Sequence, residues 1–303
     1  MDEASIPGVV YLGQNVGIIG AGNVGTTLGY ALKQRGYSLA GICCRTKVSS
    51  QKASRFLETA YWDSPEEVAF RSRILIVATP DRAIKEVAEK IAAEEGFFPG
   101  QVVLHTSGAH SSEELAPARK SGASIMSMHP LQTFPGVETG LHNLPGSYFT
   151  LEGETEALPV GEELVRQMGG IPLTIDTEMK PVYHAAACVV CNYYVTLLHK
   201  GLEMMEAAGV SREKALPALM PLVEGTLSNV QKTGVPGALT GPVDRGDAST
   251  VQSHVHKLEE KLPHLRDLYC VLGRHTVDTA REKGTLSEDA ARAVLKVLQG
   301  EQG

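Results

Sequence analysis

The sequence has no block of lysine or arginine, no secretory leader and no sign of a disulfide framework, and each absence excludes a class of protein. Its net charge is −7 over 303 residues. A nucleic-acid or anionic-membrane partner needs a positive patch, so neither is expected. The opening residues, MDEASIPG, are acidic and lack the charged-then-apolar order of a signal peptide, and no apolar run reads as long enough to span a membrane. A cytoplasmic protein is therefore predicted. Five cysteines are an odd number without a leader, so disulfides are not expected. Cys188 and Cys191 form a C-x-x-C inside an apolar helical run rather than at a helix start. That placement predicts two small buried residues, not a redox pair or a metal site. No metal is expected, and no internal repeat or low-complexity segment is visible.

Hydrophobic residues make up 43% and charged residues 21%, ordinary proportions for a globular protein with a filled core. Strands are predicted at 15–20, 39–44, 73–80, 101–108, 124–129, 147–153 and 171–176, with helices at 24–36, 49–58 and 83–94 between the first of them. Continuous apolar strands alternating with helices imply a parallel sheet covered on both faces. After Asp176 the pattern becomes helical: 181–208, a helix from the N-cap Ser211 bent by Pro217 and Pro221, then 248–260, 264–282 and 287–299. The expected organisation is a Rossmann-like α/β domain with a mostly parallel sheet, residues 1–178, followed by an all-α domain, residues 179–303.

VGIIGAGNVGTTLGY, from Val16 to Tyr30, places Gly20, Gly22 and Gly25 at G-x-G-x-x-G spacing between a strand and a helix. In a dinucleotide fold the first glycine permits the turn, the second lets backbone approach the pyrophosphate, and the third lets helix pack on strand. The helix N-terminus adds free N–H groups and a partial positive charge, so Asn23 and Val24 join the expected contacts. NAD proteins usually carry Asp or Glu at the end of the second strand. Here that position reads CCRTKVSSQK, and no carboxylate follows until Glu58. Arg45 and Thr46, with hydroxyl neighbours, suit a 2′-phosphate, so the expected cofactor is NADP. The missing acid also counts against an S-adenosylmethionine methyltransferase. Thr79 and Pro80 in ATPD, and Ser107 and Gly108 in HTSGAH, follow strands at their C-terminal ends and are candidates for the nicotinamide side.

The motifs GAGNVGTTL, HTSGAHSSEEL, MHPLQTF, YHAAACVVCNY and ALTGPVDRGDASTVQSH span roughly residues 15–280. Together they resemble a family of NADP oxidoreductases, without an assigned reaction, that join a Rossmann-like domain to an uncharacterised helical domain. Its wider relatives include pyrroline-5-carboxylate reductase, ketopantoate reductase, prephenate dehydrogenase and a deazaflavin-dependent NADP reductase. The resemblance implies a helical domain similar to the C-terminal part of 6-phosphogluconate dehydrogenase, a homodimer built from those helical domains, and an active site in the interdomain cleft. Prephenate dehydrogenases carry a His-Pro pair after a strand whose histidine acts on the substrate hydroxyl. His129-Pro130 resembles that pair, although the following LQTF departs from it.

Hydride transfer to or from nicotinamide needs a partner that handles a proton, which suits a histidine, and His129 is the first candidate. Lys180 precedes Pro181, so it is expected just outside the helix, at its mouth, facing the cleft. His184, Cys188 and Asn192 follow at four-residue steps and should share one helix face. The catalytic candidates are thus His129, Lys180, His184 and Asn192. Thr240 and Arg245, in ALTGPVDRGDAST, are the substrate-binding candidates; Arg245 either binds a carboxylate or phosphate or pairs with Asp244 and Asp247. The activity expected is hydride transfer between NADP and a small polar, carboxylate-bearing metabolite. The rivals are a non-catalytic NADP-binding sensor and a deazaflavin-linked NADP reductase.

Overall fold

The computed structural model describes residues 14–300. In chain order its first part contains β1 (Asn15–Ile19), α1 (Asn23–Gln34), β2 (Ser38–Cys43), α2 (Lys47–Leu57), α3 (Pro65–Phe70), β3 (Ile74–Val77), α4 (Ile84–Ala93), β4 (Val102–His105) and α5 (Ala116–Arg119). It continues with β5 (Ser124–Pro130), α6 (Val137–Asn143), β6 (Tyr148–Gly153), α7 (Leu158–Gln167), β7 (Ile171–Thr174) and α8 (Lys180–Ala187). All seven strands expected from the sequence form, in one sheet of order β2-β1-β3-β4-β5-β6-β7. The pairing is parallel except between β5 and β6, which run antiparallel. This is the expected Rossmann-like domain with a mostly parallel sheet, and a helical region follows it.

Period-two alternation divides the core between the two sheet faces. Ile74 and Ile76 pack with Leu28 and Leu32 of α1 and Leu164 of α7. Leu75 and Val77 pack on the opposite face with Val68 of α3 and Ile84 and Ile91 of α4. Each such side chain contributes about 1.5–3 kcal/mol on burial. The register pairs Ile19 with Val77, Val77 with His105 and His105 with Ser127, so β1, β3, β4 and β5 end along one edge. Ligands of open α/β sheets bind at this C-terminal edge.

The chain divides into two compact units between Val189 and Val190, so α8 goes with the sheet. A π-helical turn, Cys188–Asn192, leads into α9 (Tyr193–Ala207) and α10 (Arg212–Ala238). The second unit ends with α11 (Ala248–Lys261), α12 (Pro263–Lys283) and α13 (Glu288–Gln299), whose shared core includes Val251, Val255, Val277, Val294 and Leu298.

Three details differ from expectation. The non-helical backbone within α10 lies at Gly234, not at Pro217 or Pro221; glycine adopts its φ of 77° without strain. The π turn rotates the chain between His184 and Asn192, so the four-residue steps do not keep one face. Cys191 is exposed and Cys188 half-buried, both as free thiols, rather than two buried residues. By length and composition, the stretch Thr177–Ala207 is also apolar enough to cross a membrane, with mean hydropathy 1.2 over its best window. Its first turn is nevertheless locked into the sheet unit by Lys180, as described below.

Candidate functional site

The glycine loop has the three properties a dinucleotide turn requires. Gly20 takes φ +88°, and a Cβ there would lie 2.6 Å from the Ala78 carbonyl oxygen, so only glycine fits. Gly25 abuts the Gly20 carbonyl, which brings α1 close against β1. At Gly22 a Cβ would meet nothing within 4 Å. Gly22 is also the N-cap of α1 and offers no side-chain acceptor, so the first N–H groups of that helix are left for a ligand. Asn23 donates its side-chain amide to the Phe134 carbonyl at 2.9 Å, tying the loop after β5 to the glycine turn.

These residues open into a cleft of about 860 Å³ lined by Gly20, Gly22, Asn23, Val24, Arg45, Thr46, Ser49, Thr79, Pro80 and Thr106. The Thr46 hydroxyl accepts from Ser49 N–H at 3.2 Å and meets the Ser49 hydroxyl at 2.8 Å, so it caps α2 as well as facing the cleft. Arg45 is exposed and makes no ion pair among the described residues. Asp63 also lines the cleft, paired with Lys47 at 3.6 Å. Arg82 and Asp81, in the turn after β3, complete a charged rim that the sequence reading did not anticipate.

Ser107 and Gly108, expected on the nicotinamide side, are not among the residues that line this cleft. Ser107 is buried, and its hydroxyl accepts from the N–H groups of Ala109 and His110 at 3.2 and 3.0 Å. It shapes the loop. His105, fully buried at the end of β4, accepts from Ser107 N–H on Nδ1 at 3.1 Å and pairs through Nε2 with the Ser111 carbonyl at 2.9 Å. Burial pushes its pKa down to about 4, so it holds the loop as a neutral ring. Gly108 then lies beneath two imidazoles: an added Cβ would fall 2.6 Å from His184 Nδ1 and 2.7 Å from His129 Nε2.

His129, on β5 three strands from β1, sits at the same sheet edge as the glycine turn, a lateral distance of about 14 Å at ordinary strand spacing. Its ring stands edge-on to those of Tyr183 and His184, with centroids 5.8 and 6.0 Å away. Nδ1 meets the Tyr183 hydroxyl at 2.9 Å. Burial, followed by the nearby Lys180 and His184, lowers the His129 pKa to about 4. The structure thus brings His129 and His184 together and adds Tyr183, which lies three residues after Lys180 and was legible as the aromatic beside His184.

Lys180 departs most from expectation. Its φ and ψ are −56° and −41°, so it is helical despite preceding proline. Its side chain is 0% exposed. The ammonium pairs with Glu152 Oε1 at 3.3 Å and donates to the Ser127 hydroxyl. Glu152, buried on β6, also accepts from Ser112 N–H at 2.8 Å, from the Ser112 hydroxyl at 2.9 Å and from the Thr177 hydroxyl at 2.9 Å. Burial drives the Lys180 pKa down while Glu152 opposes it. Lys180 therefore does not hold a substrate at the surface; it joins β5, β6, the 107–112 loop and α8 underneath the histidines. This tertiary lock overrides the pre-proline preference.

Asn192, Thr240 and Arg245 belong to the second unit and are all exposed. Asp244 pairs with Lys283 and Thr285 at 2.9 and 2.6 Å. Asp247 caps α11 by accepting from Thr250 N–H at 3.0 Å. Both neighbouring aspartates are thus engaged elsewhere, and Arg245 makes no ion pair among the described residues.

The fold and the glycine turn define a two-domain protein with a Rossmann-like domain ahead of a helical one. More particularly, the chain matches a Rossmann-like domain over residues 6–130 and the domain of unknown function DUF2520 over residues 147–276. No curated protein matches it. Among solved structures it is similar to protein TM1727 of Thermotoga maritima, with 25% identity and TM-score 0.70 over 89% of this chain and 99% of that one. It is also similar to BF3122 of Bacteroides fragilis, provisionally named an NADP oxidoreductase, with 23% identity and TM-score 0.68 over 88% and 98%. An imine reductase of Myxococcus stipitatus in complex with NADP+ shares 17% identity and TM-score 0.62 over 94% and 99%. At these identities the likeness to the last two is one of fold.

Proposed function

We propose that the protein is an NADP-dependent oxidoreductase that moves a hydride between nicotinamide and a small polar, carboxylate-bearing metabolite. One observation carries the reading: the open face of Gly22 and the unpaired guanidinium of Arg45 line the same cleft. Gly22, the first N–H groups of α1 and the Thr79–Pro80 turn would hold the pyrophosphate, with Arg45, Thr46 and Ser49 on the 2′-phosphate. The bound dinucleotide supplies the hydride chemistry. His129, at the same sheet edge, then meets the reacting oxygen or nitrogen of the substrate. The NADP oxidoreductase and imine reductase names of the structural relatives support this reading.

Titrating NADPH and NADH against intrinsic and nicotinamide fluorescence tests the cofactor assignment. NADPH is expected to bind more tightly, and Arg45→Ala should weaken NADPH at least tenfold while hardly moving NADH. A charge-assisted hydrogen bond is worth about 1.5–3 kcal/mol. Equal wild-type affinities for the two cofactors would sink the assignment. Turnover in a panel of carbonyl and imine compounds separates an enzyme from a sensor, and reduced deazaflavin in the panel covers the remaining rival.

We also propose a cytoplasmic homodimer assembled through the helical unit. Val190 and Val195 are 75% and 64% exposed, and Tyr193, Leu222 and Leu227 are exposed nearby in sequence on α9 and α10. Apolar surface on this scale favours a protein cover. Sedimentation at micromolar concentration should give twice the 32.4 kDa chain mass, and Val195→Asp should shift the species toward monomer. A monomeric wild type would end this part of the reading.

A further inference from the structure

Resting on the oxidoreductase reading, we infer that Tyr183 is a positioning residue that fixes the Nε2–H tautomer of His129, so that this ring meets the substrate as a neutral hydrogen-bond donor and selects a carbonyl over an iminium. His129 Nδ1 lies 2.9 Å from the Tyr183 hydroxyl. A phenol is the stronger donor and an imidazole nitrogen the stronger acceptor, so the Tyr183 O–H donates to Nδ1. The Thr150 hydroxyl, opposite His129 on β6, also lies close to the Tyr183 hydroxyl but meets no hydrogen-bond geometry among the described residues, so the contact to Nδ1 is the better-formed one. Burial raises the Tyr183 pKa, against a smaller opposing pull from Thr150, so the phenol keeps its proton to give. With Nδ1 occupied as an acceptor, a neutral ring must carry its hydrogen on Nε2.

Burial chiefly keeps His129 neutral, and the groups around it adjust that effect. Lys180 lies below it, His184 and Tyr183 face it from α8, His105 approaches from β4, and Asp81 stands in the turn after β3. The buried carboxylate beneath, Glu152, is committed to Lys180, Ser112 and Thr177. Glu152 balances the Lys180 ammonium and Asp81 is negative, so the ring is held neutral chiefly by burial and not by a net positive surrounding.

Two nitrogens then define what binds. His129 Nε2 and His184 Nδ1 each lie within 2.7 Å of one point above Gly108, so they are no more than about 5.4 Å apart. Among the described residues His184 Nδ1 is buried without a hydrogen-bond partner, a cost that a ligand atom can remove. One oxygen at ordinary hydrogen-bond length reaches both. An Nε2–H needs a lone pair to donate to. A carbonyl oxygen offers one and, as hydride arrives from the bound nicotinamide, gains negative charge that this donor stabilises until solvent water protonates the alkoxide. A protonated iminium offers no lone pair to that donor and is disfavoured for that reason. Because Nε2 already bears a hydrogen, His129 in this state does not serve as a base.

The test uses full-length protein with ¹⁵N-labelled histidine and long-range ¹H–¹⁵N correlation, with the His129 signals assigned by their loss in His129→Asn. At pH 7 His129 should show an unprotonated-type Nδ1 and a protonated-type Nε2. Tyr183→Phe should mix the tautomers and raise the titration midpoint, because the lost bond had stabilised the neutral ring. A protonated Nδ1 in the wild type, a doubly protonated ring at pH 7, or a Tyr183→Phe spectrum identical to wild type would each overturn the inference. Should Tyr183→Phe fail to fold, the wild-type tautomer alone decides. In the substrate panel, carbonyl compounds should be reduced at least tenfold faster than preformed iminium salts of matched size; the reverse order overturns the selectivity. Failure to bind NADPH would instead strike the underlying oxidoreductase reading and leave the tautomer measurement standing.

Discussion

Gly108→Ala is expected to lower turnover by roughly a hundredfold, matching His129→Ala, while NADPH affinity stays at the wild-type value in both. The reason is steric. The added methyl would sit 2.6 Å from His184 Nδ1 and 2.7 Å from His129 Nε2, closer than any real contact allows. Neither ring is the far end of a flexible chain, and His129 is pinned on its other side by Tyr183. Both imidazoles must shift, and displacing a positioned group by about 1 Å can cost about a hundredfold. General acid–base or donor groups contribute a similar factor, about 10²–10⁴.

Gly108 is absent from the glycines with positive φ, so alanine brings no backbone strain there and the loss would report on the rings. Gly136, where a Cβ would meet nothing within 4 Å, provides the control, and Gly136→Ala should behave as wild type. Steady-state kinetics on the fastest carbonyl compound of the panel, with NADPH fluorescence titration alongside, make the measurement. A Gly108→Ala protein that turns over at the wild-type rate would remove His129 and His184 from the site. A matched loss of turnover and NADPH affinity would place Gly108 with the cofactor instead.

The glycine turn was legible because each of its requirements is local. A strand, three glycines and a helix are fixed by short-range sterics, and the structure shows Gly20, Gly22 and Gly25 in their separate roles. The strands were legible for a similar reason: ILIV and VVLH are apolar on both faces, as a strand buried on both sides must be. Helices α3 and α6 went unread because six or seven residues carry too little periodicity to register. In α7, Pro159 and Gly161 mask a real pattern.

The histidine site was only half legible. His129 and His184 could be named from residue type and position, but the place of Gly108 beneath both rings could not, because a loop sequence does not say what lies above it. Lys180 was misplaced because its local rule, avoidance of helix before proline, yields to a buried partner 28 positions earlier in the chain. One signal was available. Glu152 is a lone carboxylate in the otherwise apolar strand YFTLEG, and a buried acid of that kind requires a cation and donors somewhere in the fold. Asking which cation could reach it would have drawn attention to Lys180.

That pair leads to the second large effect. Lys180→Met and Glu152→Gln should each destabilise the sheet unit by about 3–5 kcal/mol, since each leaves a buried charge without its partner. At about 2–4 °C per kcal/mol for a domain of this size, the melting temperature should fall by about 10 °C or somewhat more. The double variant should recover part of that loss. Glutamine keeps one oxygen to accept from the Ser112 N–H while its amide N–H groups donate to the Ser112 or Thr177 hydroxyl, and methionine fills the space of the lysine stem without a charge to satisfy. The coupling between the two sites should therefore fall in the range of about 0.5–3 kcal/mol that touching residues show. Purely additive losses would mean that the two groups do not interact, against the 3.3 Å geometry. Lys180→Met carries a further signature. Burial is the main cause of the low His129 pKa and the Lys180 ammonium the next, so removing that charge should move the His129 midpoint up from about 4 without restoring the ordinary value near 6.5. The folded pKa lies below the unfolded one, so the His129 contribution to stability is present at neutral pH and is lost as pH falls from about 6.5 toward 4. Lys180→Met should narrow that window from its acid side. Melting curves between pH 4 and pH 8, recorded with the histidine ¹⁵N titration, would show both effects, and an unmoved midpoint in Lys180→Met would separate the ion pair from the histidine site.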